Sequence, residues 1–173
     1  NARNYKLKVV MPNVTVPSKR DILKNMGAEL HLVDAKPYSD PGNYQRVSQK
    51  LAIELEKETG KKTFWAGQFE NLANYQFHEK TTAKEIYDQT NGKVDAFTCA
   101  IGTGGTITGV SVGLKSFNKK IIIGCTDSQG SSMYNYFTKG TPEKKGDESI
   151  TEGIGQARVT KNLESCIVDS HFM

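Results

Sequence analysis

Cysteine is scarce in this chain, and the little there is forms no pair. Cys99, Cys125 and Cys166 are an odd set with no C-x-x-C spacing, which excludes a disulfide-stapled scaffold and a zinc ribbon. Histidine is as sparse: His31, His78 and His171 share no metal-ligand spacing with one another or with the cysteines, so zinc is not expected. No apolar run approaches the ~20 residues of a membrane span, and the opening residues show no signal-peptide h-region. Neither sign of charge dominates, with 23 Lys+Arg against 19 Asp+Glu and a net charge of +4. The lysines (Lys6, Lys8, Lys61, Lys62, Lys144 and Lys145 among them) are scattered rather than gathered with aromatics. That is a solvated surface, with no nucleic-acid footprint. There is no internal repeat and no low-complexity linker. The expectations are a reducing, cytoplasmic or organelle-matrix setting, no membrane and no nucleic acid.

What is present alternates between strand and helix patterns. Leu7 to Met11 is a short apolar run closed by Pro12, as in a buried strand. Ser18 is a candidate cap for a helix over Lys19 to Met26, with Gly27 as its C′ residue. Leu30 to Val33 reads as a second strand. Val47, Leu51 and Leu55 mark one face of a helix from Asn43 to Thr59, ended by Gly60. Thr63 to Ala66 is a brief strand candidate. Asn71 to Phe77, with His78 read near a helix start, and Thr82 to Gln89, capped by Thr81 or Thr82, are helical, and Asn91-Gly92 is a turn. Val94 to Ile101 is an apolar strand, Ile107 to Phe117 a helix, and Lys120 to Cys125 a β-branched strand. Tyr134 and Tyr136 fall in a helix after Ser131, and Thr138 to Ser149 is a polar loop. Strand, loop, helix and strand in this order form a βαβ unit, so the fold class is α/β with mainly parallel sheets.

The strongest chemical signal is Gly102-Thr103-Gly104-Gly105-Thr106, at the C-terminal end of a strand and the start of a helix. Glycines let backbone N–H groups approach an anion, the helix N-terminus adds a favourable dipole, and the two threonines add hydroxyl donors. A tight strand-to-helix turn without ligand has the same composition. A dinucleotide fingerprint would need a third glycine where Ile107 stands, although Asp127 lies near the expected distance for its acid. A G-x-x-x-x-G-K-[ST] loop is absent.

Four blocks together resemble a family. Val9-Val10-Met11-Pro12, followed by Ser18-Lys19-Arg20, Leu23 and Gly27-Ala28-Glu29-Leu30, is one. Gln68-Phe69-Glu70-Asn71, with Asn74, His78, Thr81-Thr82 and Glu85-Ile86, is the second. Gly102 to Thr106 with Thr108-Gly109-Val110 is the third, and Glu152-Gly153-Ile154-Gly155 the fourth. In this order and spacing the chain is similar to the cysteine synthase and cystathionine β-synthase family of fold-type II pyridoxal-phosphate enzymes.

The resemblance implies twisted sheets with helices on both faces, in parts of two αβα domains. Residues 1–71 would belong to the N-terminal, substrate-side domain and 72–173 to the C-terminal, cofactor-phosphate domain. It gives Gly102, Thr103, Gly104, Gly105 and Thr106 the role of holding the phosphate of pyridoxal 5′-phosphate, and Gln68 that of holding the substrate carboxylate. Gly153 to Gly155 would line the cofactor cleft through backbone. The Schiff-base lysine is expected ahead of Asn1 and the partner of the pyridine nitrogen after Met173. No lysine here is therefore named as catalytic, and the chain reads as a central fragment. Asp127-Ser128-Gln129-Gly130-Ser131 matches the family's D-P-x-G-S turn only loosely. The implied activity is β-replacement on an amino acid, cysteine from O-acetylserine and sulfide, in a homodimer. A cystathionine β-synthase type, a serine or threonine dehydratase, and an inactive relative acting as a binding module are the alternatives.

Overall fold

The computed structural model describes residues 4–144, 151 and 153–173. Glu152 of the fourth block and positions 145–149 of the polar loop lie outside the described residues. The chain divides into two compact units, Asn1–Gly67 and Gln68–Met173.

The first unit is a βαβ arrangement with one further helix: β1 (Lys8–Pro12), α1 (Pro17–Asn25), β2 (Glu29–Val33) and α2 (Tyr44–Thr59). β1 and β2 pair in parallel, Lys8 opposite Glu29 through Pro12 opposite Val33, and Lys8 and Glu29 form an exposed ion pair across that register. Ser18 does not cap α1. The helix starts a residue earlier, with Val16 as N-cap and Pro17 in the first turn, where a fixed φ and a missing N–H suit a helix start. Gly27 ends it at φ +84, with its N–H on the Lys24 carbonyl and that of Ala28 on Leu23. α2 begins at Asn43, which is buried. Its side chain accepts from Gln45 N at 3.0 Å and donates to the Lys36 carbonyl at 2.7 Å. Thr63 to Ala66 is not a strand: Thr63 N is taken by the Glu56 carboxylate and Trp65 Nε1 by Ser48 Oγ, both on α2.

The second unit carries the core. Its elements are α3 (Ala73–Lys80), α4 (Thr82–Gln89), β3 (Ala96–Ala100), α5 (Gly105–Phe117), β4 (Ile122–Thr126), α6 (Met133–Lys139), a 3-10 turn (Lys161–Leu163) and β5 (Ser170–Phe172). The strands form a parallel sheet in the order β3-β4-β5. With the parallel pair of the first unit, this makes the α/β class an observation. β4 starts later than its composition suggests because Asn118 holds the preceding turn: its side chain accepts from Lys120 N and its carbonyl from Ile121 N. Thr81 caps nothing with its side chain, since its hydroxyl donates backwards to the Phe77 carbonyl at 2.8 Å. α6 includes Thr138 and Lys139, so the loop begins later than its polarity implied.

Ile101, Ile107, Val110, Leu114, Ile121, Ile123, Cys125, Met133 and Leu163 are buried together with Ala83. Each large side chain in such a cluster contributes about 1.5–3 kcal/mol of burial. α5 packs this closely because its glycines fall one turn apart on one face. A Cβ on Gly105 would sit 2.0 Å from Asn74 Oδ1, one on Gly109 2.2 Å from the Tyr75 carbonyl, and one on Gly113 2.4 Å from Ala83 Cβ. Helical glycine costs roughly 1 kcal/mol against alanine, and here it admits α3 and α4 against the helix backbone. All three thiols are free. Burial pushes Cys99 up to about 11 and Cys125 up to about 12, and raises Cys166 as well.

Candidate functional site

The glycine loop runs from the end of β3 into α5, at the C-terminal edge of a parallel sheet where open α/β folds receive ligands. Gly104 is the N-cap of α5 at φ +87, a left-handed conformation natural to glycine. The first intrahelical bond is Thr108 N to the Gly104 carbonyl at 3.1 Å. Among the described residues, the N–H groups of Thr103, Gly104, Thr106 and Ile107 have no acceptor in the chain. These orphan donors at a helix start are the groups that bind anions.

Their position is fixed from outside. The Thr103 carbonyl accepts from Thr160 Oγ1 at 2.7 Å, the Gly102 carbonyl from Gln156 Nε2 at 3.1 Å, and the Ile101 carbonyl from Gly155 N at 2.8 Å. Thr103 Oγ1 accepts from Asn74 Nδ2 at 3.1 Å and Gly105 N at 3.2 Å. With both lone pairs engaged, its O–H is left to donate. Thr106 is exposed, and its hydroxyl lies 3.4 Å from His78 Nε2. His78 Nδ1 meets Thr82 Oγ1 at 2.9 Å. His78 therefore stands in the last turn of α3, not at a helix start.

The loop offers a phosphate the groups it needs, N–H donors without an acceptor in the chain and a hydroxyl left to donate, all within Thr103 to Ile107. The bareness of two glycines has another cause, however. A Cβ on Gly104 would meet Leu163 at 2.4 Å and one on Gly105 would meet Asn74. Packing and φ, as much as close approach of an anion, demand glycine there.

Gln68 is exposed, and its backbone is joined to the same assembly. Asn74 Nδ2 donates to the Gln68 carbonyl at 2.9 Å as well as to Thr103, so one amide bridges the two predicted positions. Asn162, fully buried, donates to the carbonyls of Gln68 and Phe69, both at 3.0 Å. Gly153 and Gly155 both have positive φ, and a Cβ on Gly102 would lie 3.1 Å from the Gly153 carbonyl. Asp127 acts locally, its Oδ2 accepting from Tyr134 N at 2.7 Å in the first turn of α6. Sequence reasoning gave no role to Asn74, Gln156, Thr160 or Asn162. Asn74 stood within the second block, and Gln156, Thr160 and Asn162 among the residues that follow the fourth.

The family model described as pyridoxal-phosphate dependent enzyme matches residues 1–171. Cysteine synthase 1 of Neurospora crassa is 42% identical over 166 residues, covering 94% of this chain and 43% of that protein. A putative mitochondrial cysteine synthase of Saccharomyces cerevisiae is 38% identical over 178 residues, covering 94% and 44%. The crystal structure of a cysteine synthase from Entamoeba histolytica superimposes with a TM-score of 0.77 at 30% identity, over 99% of this chain and 46% of that one. The chain thus spans less than half the length of these relatives.

Proposed function

Because the chain belongs to the family of pyridoxal-phosphate dependent enzymes, we propose that it supplies the phosphate-holding and substrate-orienting part of a cysteine synthase that makes cysteine from O-acetylserine and sulfide. When bound, pyridoxal phosphate supplies the electron sink for chemistry at the amino-acid α-carbon. The protein's part is binding and orientation. Gly102 to Thr106 hold the phosphate through backbone N–H groups and the hydroxyls of Thr103 and Thr106. Gln68 donates its neutral amide to the substrate carboxylate, adding no second charge beside it. The backbone of Gly153 to Gly155 lines the cleft. Residues 1–71 and 72–173 are parts of its two domains, and the working form is a homodimer in the cytoplasm, acting on a small amino acid.

The observation that carries this reading is the Asn74 amide, which holds Gln68 O and Thr103 Oγ1 at once and so ties the substrate side to the phosphate side. No described helix is long and apolar enough to cross a membrane. The test is to express the full-length protein and follow cofactor absorbance and cysteine formation from O-acetylserine and sulfide. Cofactor retained through dialysis with cysteine produced is the expected result. Homocysteine-dependent cystathionine formation alone, or deamination of serine without replacement, would move the assignment to a different lyase.

A further inference from the structure

Beside Gln68 lies a charge pair that the proposed activity does not use. Arg158 Nη2 donates to Glu70 Oε1 at 2.7 Å, and the two side chains are only 20% and 24% exposed. The guanidinium also stands 5.7 Å from the Phe69 ring centroid, within cation–π range. We propose that Arg158 is a positioning residue for Gln68, acting through Glu70 and Phe69, and that it thereby sets the affinity for the amino-acid substrate; this rests on the reading of Gln68 as the carboxylate donor.

Besides the Asn74 bond to the Gln68 carbonyl, two further side chains hold the residues at and after Gln68. Asn162 takes the carbonyls of Gln68 and Phe69, the Arg158 guanidinium lies over the Phe69 ring, and Arg158 pairs with Glu70. With its backbone pinned, the exposed Gln68 side chain extends from a fixed origin, and less ordering entropy is lost when it meets a ligand. Arginine suits this position, because a planar guanidinium can stack on a ring and donate to a carboxylate together, which a lysine ammonium cannot. Glu70 has a second effect: it pairs with the Arg158 guanidinium, which leaves the neutral Gln68 amide as the donor proposed for the ligand carboxylate. The chain around Arg158 also holds the phosphate loop, through Gln156 on Gly102 and Thr160 on Thr103. Those contacts are made by other side chains, so a change at Arg158 separates the two functions.

The experiment uses the full-length enzyme loaded with pyridoxal phosphate, and compares Arg158→Met, Arg158→Lys, Glu70→Gln and Gln68→Ala. The expected result for Arg158→Met and Glu70→Gln is a rise in KM for O-acetylserine on the order of tenfold, the size of one contact-pair coupling. Cofactor retention after dialysis and kcat should stay near wild type, and Arg158→Lys should behave like Arg158→Met. Combined with Gln68→Ala, Arg158→Met should add little, because both act on one contact. Glu70→Gln keeps the side chain's shape, so it carries the test if Arg158→Met fails to fold. An unchanged KM in Glu70→Gln beside a raised KM in Gln68→Ala would overturn this inference alone, as would full additivity. An unchanged KM in Gln68→Ala would overturn the underlying reading of Gln68.

Discussion

Helix α2 of the first unit has 16 residues and none of them is buried, whereas from Gly105 to Leu114 of α5 only Thr106 and Val112 escape burial. The two helices are stabilised by different means. α2 depends on its ends: the Asn43 side chain at the start and Gly60 in a left-handed conformation at the finish. α5 starts at a glycine that offers no capping side chain, with one first-turn donor, Gly105 N, on Thr103 Oγ1, and its place is fixed by what presses on its flank. A helix that leaves its N-terminal donors free for a ligand cannot also spend them on a cap, so its stability has to come from packing.

The sharpest way to break this contrast is a side chain on the α5 flank. Gly109→Leu drives a Cβ to 2.2 Å from the Tyr75 carbonyl and 2.6 Å from His78 Cβ. Overpacking of this kind costs about 1–3 kcal/mol and more where backbone is the obstacle. Denaturant titration should show the second unit destabilised by at least ~3 kcal/mol. Gly60→Ala in the first unit, with nothing within 4 Å and only φ +64 to resist it, should cost about 1 kcal/mol. Equal effects would refute the contrast.

A cavity probes the same difference more gently. Leu114→Ala, at a fully buried position, should cost about 2–5 kcal/mol. On the α2 side the weak point is its cap, and Asn43→Ala should cost about 1 kcal/mol, read as local fraying by amide exchange. A larger loss at Asn43 than at Leu114 would reverse the contrast.

The smallest effect is alkaline. Burial raises Cys99 and Cys125 above an ordinary thiol, so above about pH 8.5 the unfolded chain releases these protons while the folded chain keeps them. Stability contributed by the buried neutral thiols is complete below that pH and falls as pH rises towards the folded values of about 11 and about 12. The denaturation midpoint of the second unit should drop between about pH 8 and about pH 10.5, and Cys125→Ala should make that drop shallower. A flat profile would show that the thiols are not buried in the neutral form.

Much of this was legible in the residues. The helix over Asn43 to Thr59 declares itself by period and by both ends, and the strand–glycine loop–helix–strand unit by pattern and composition. Thr63 to Ala66 misled because an aromatic, β-branched run satisfies strand preference, while its polar groups in fact turn back onto α2 through Glu56 and Ser48. The loop itself was visible, but its bracing was not. Asn162, Thr160 and Asn74 act across 29 to 94 positions of sequence, and no local period encodes such a separation. The α5 glycines were read for backbone freedom at the loop. Their repeat at Gly105, Gly109 and Gly113 also carried a message about neighbours.

That repeat works like a keyway cut along a shaft. Turning α5 by one residue, about 100°, in one sense or the other would bring Thr108 or Val110 against the Tyr75 carbonyl and Val112 or Leu114 against Ala83. Neither movement is open to the helix, so the height and heading of its first turn are set partly at Gly113, about 12 Å down the axis. The direction in which the donors of Thr103 to Ile107 point is thus decided by a contact two turns away that touches no ligand at all.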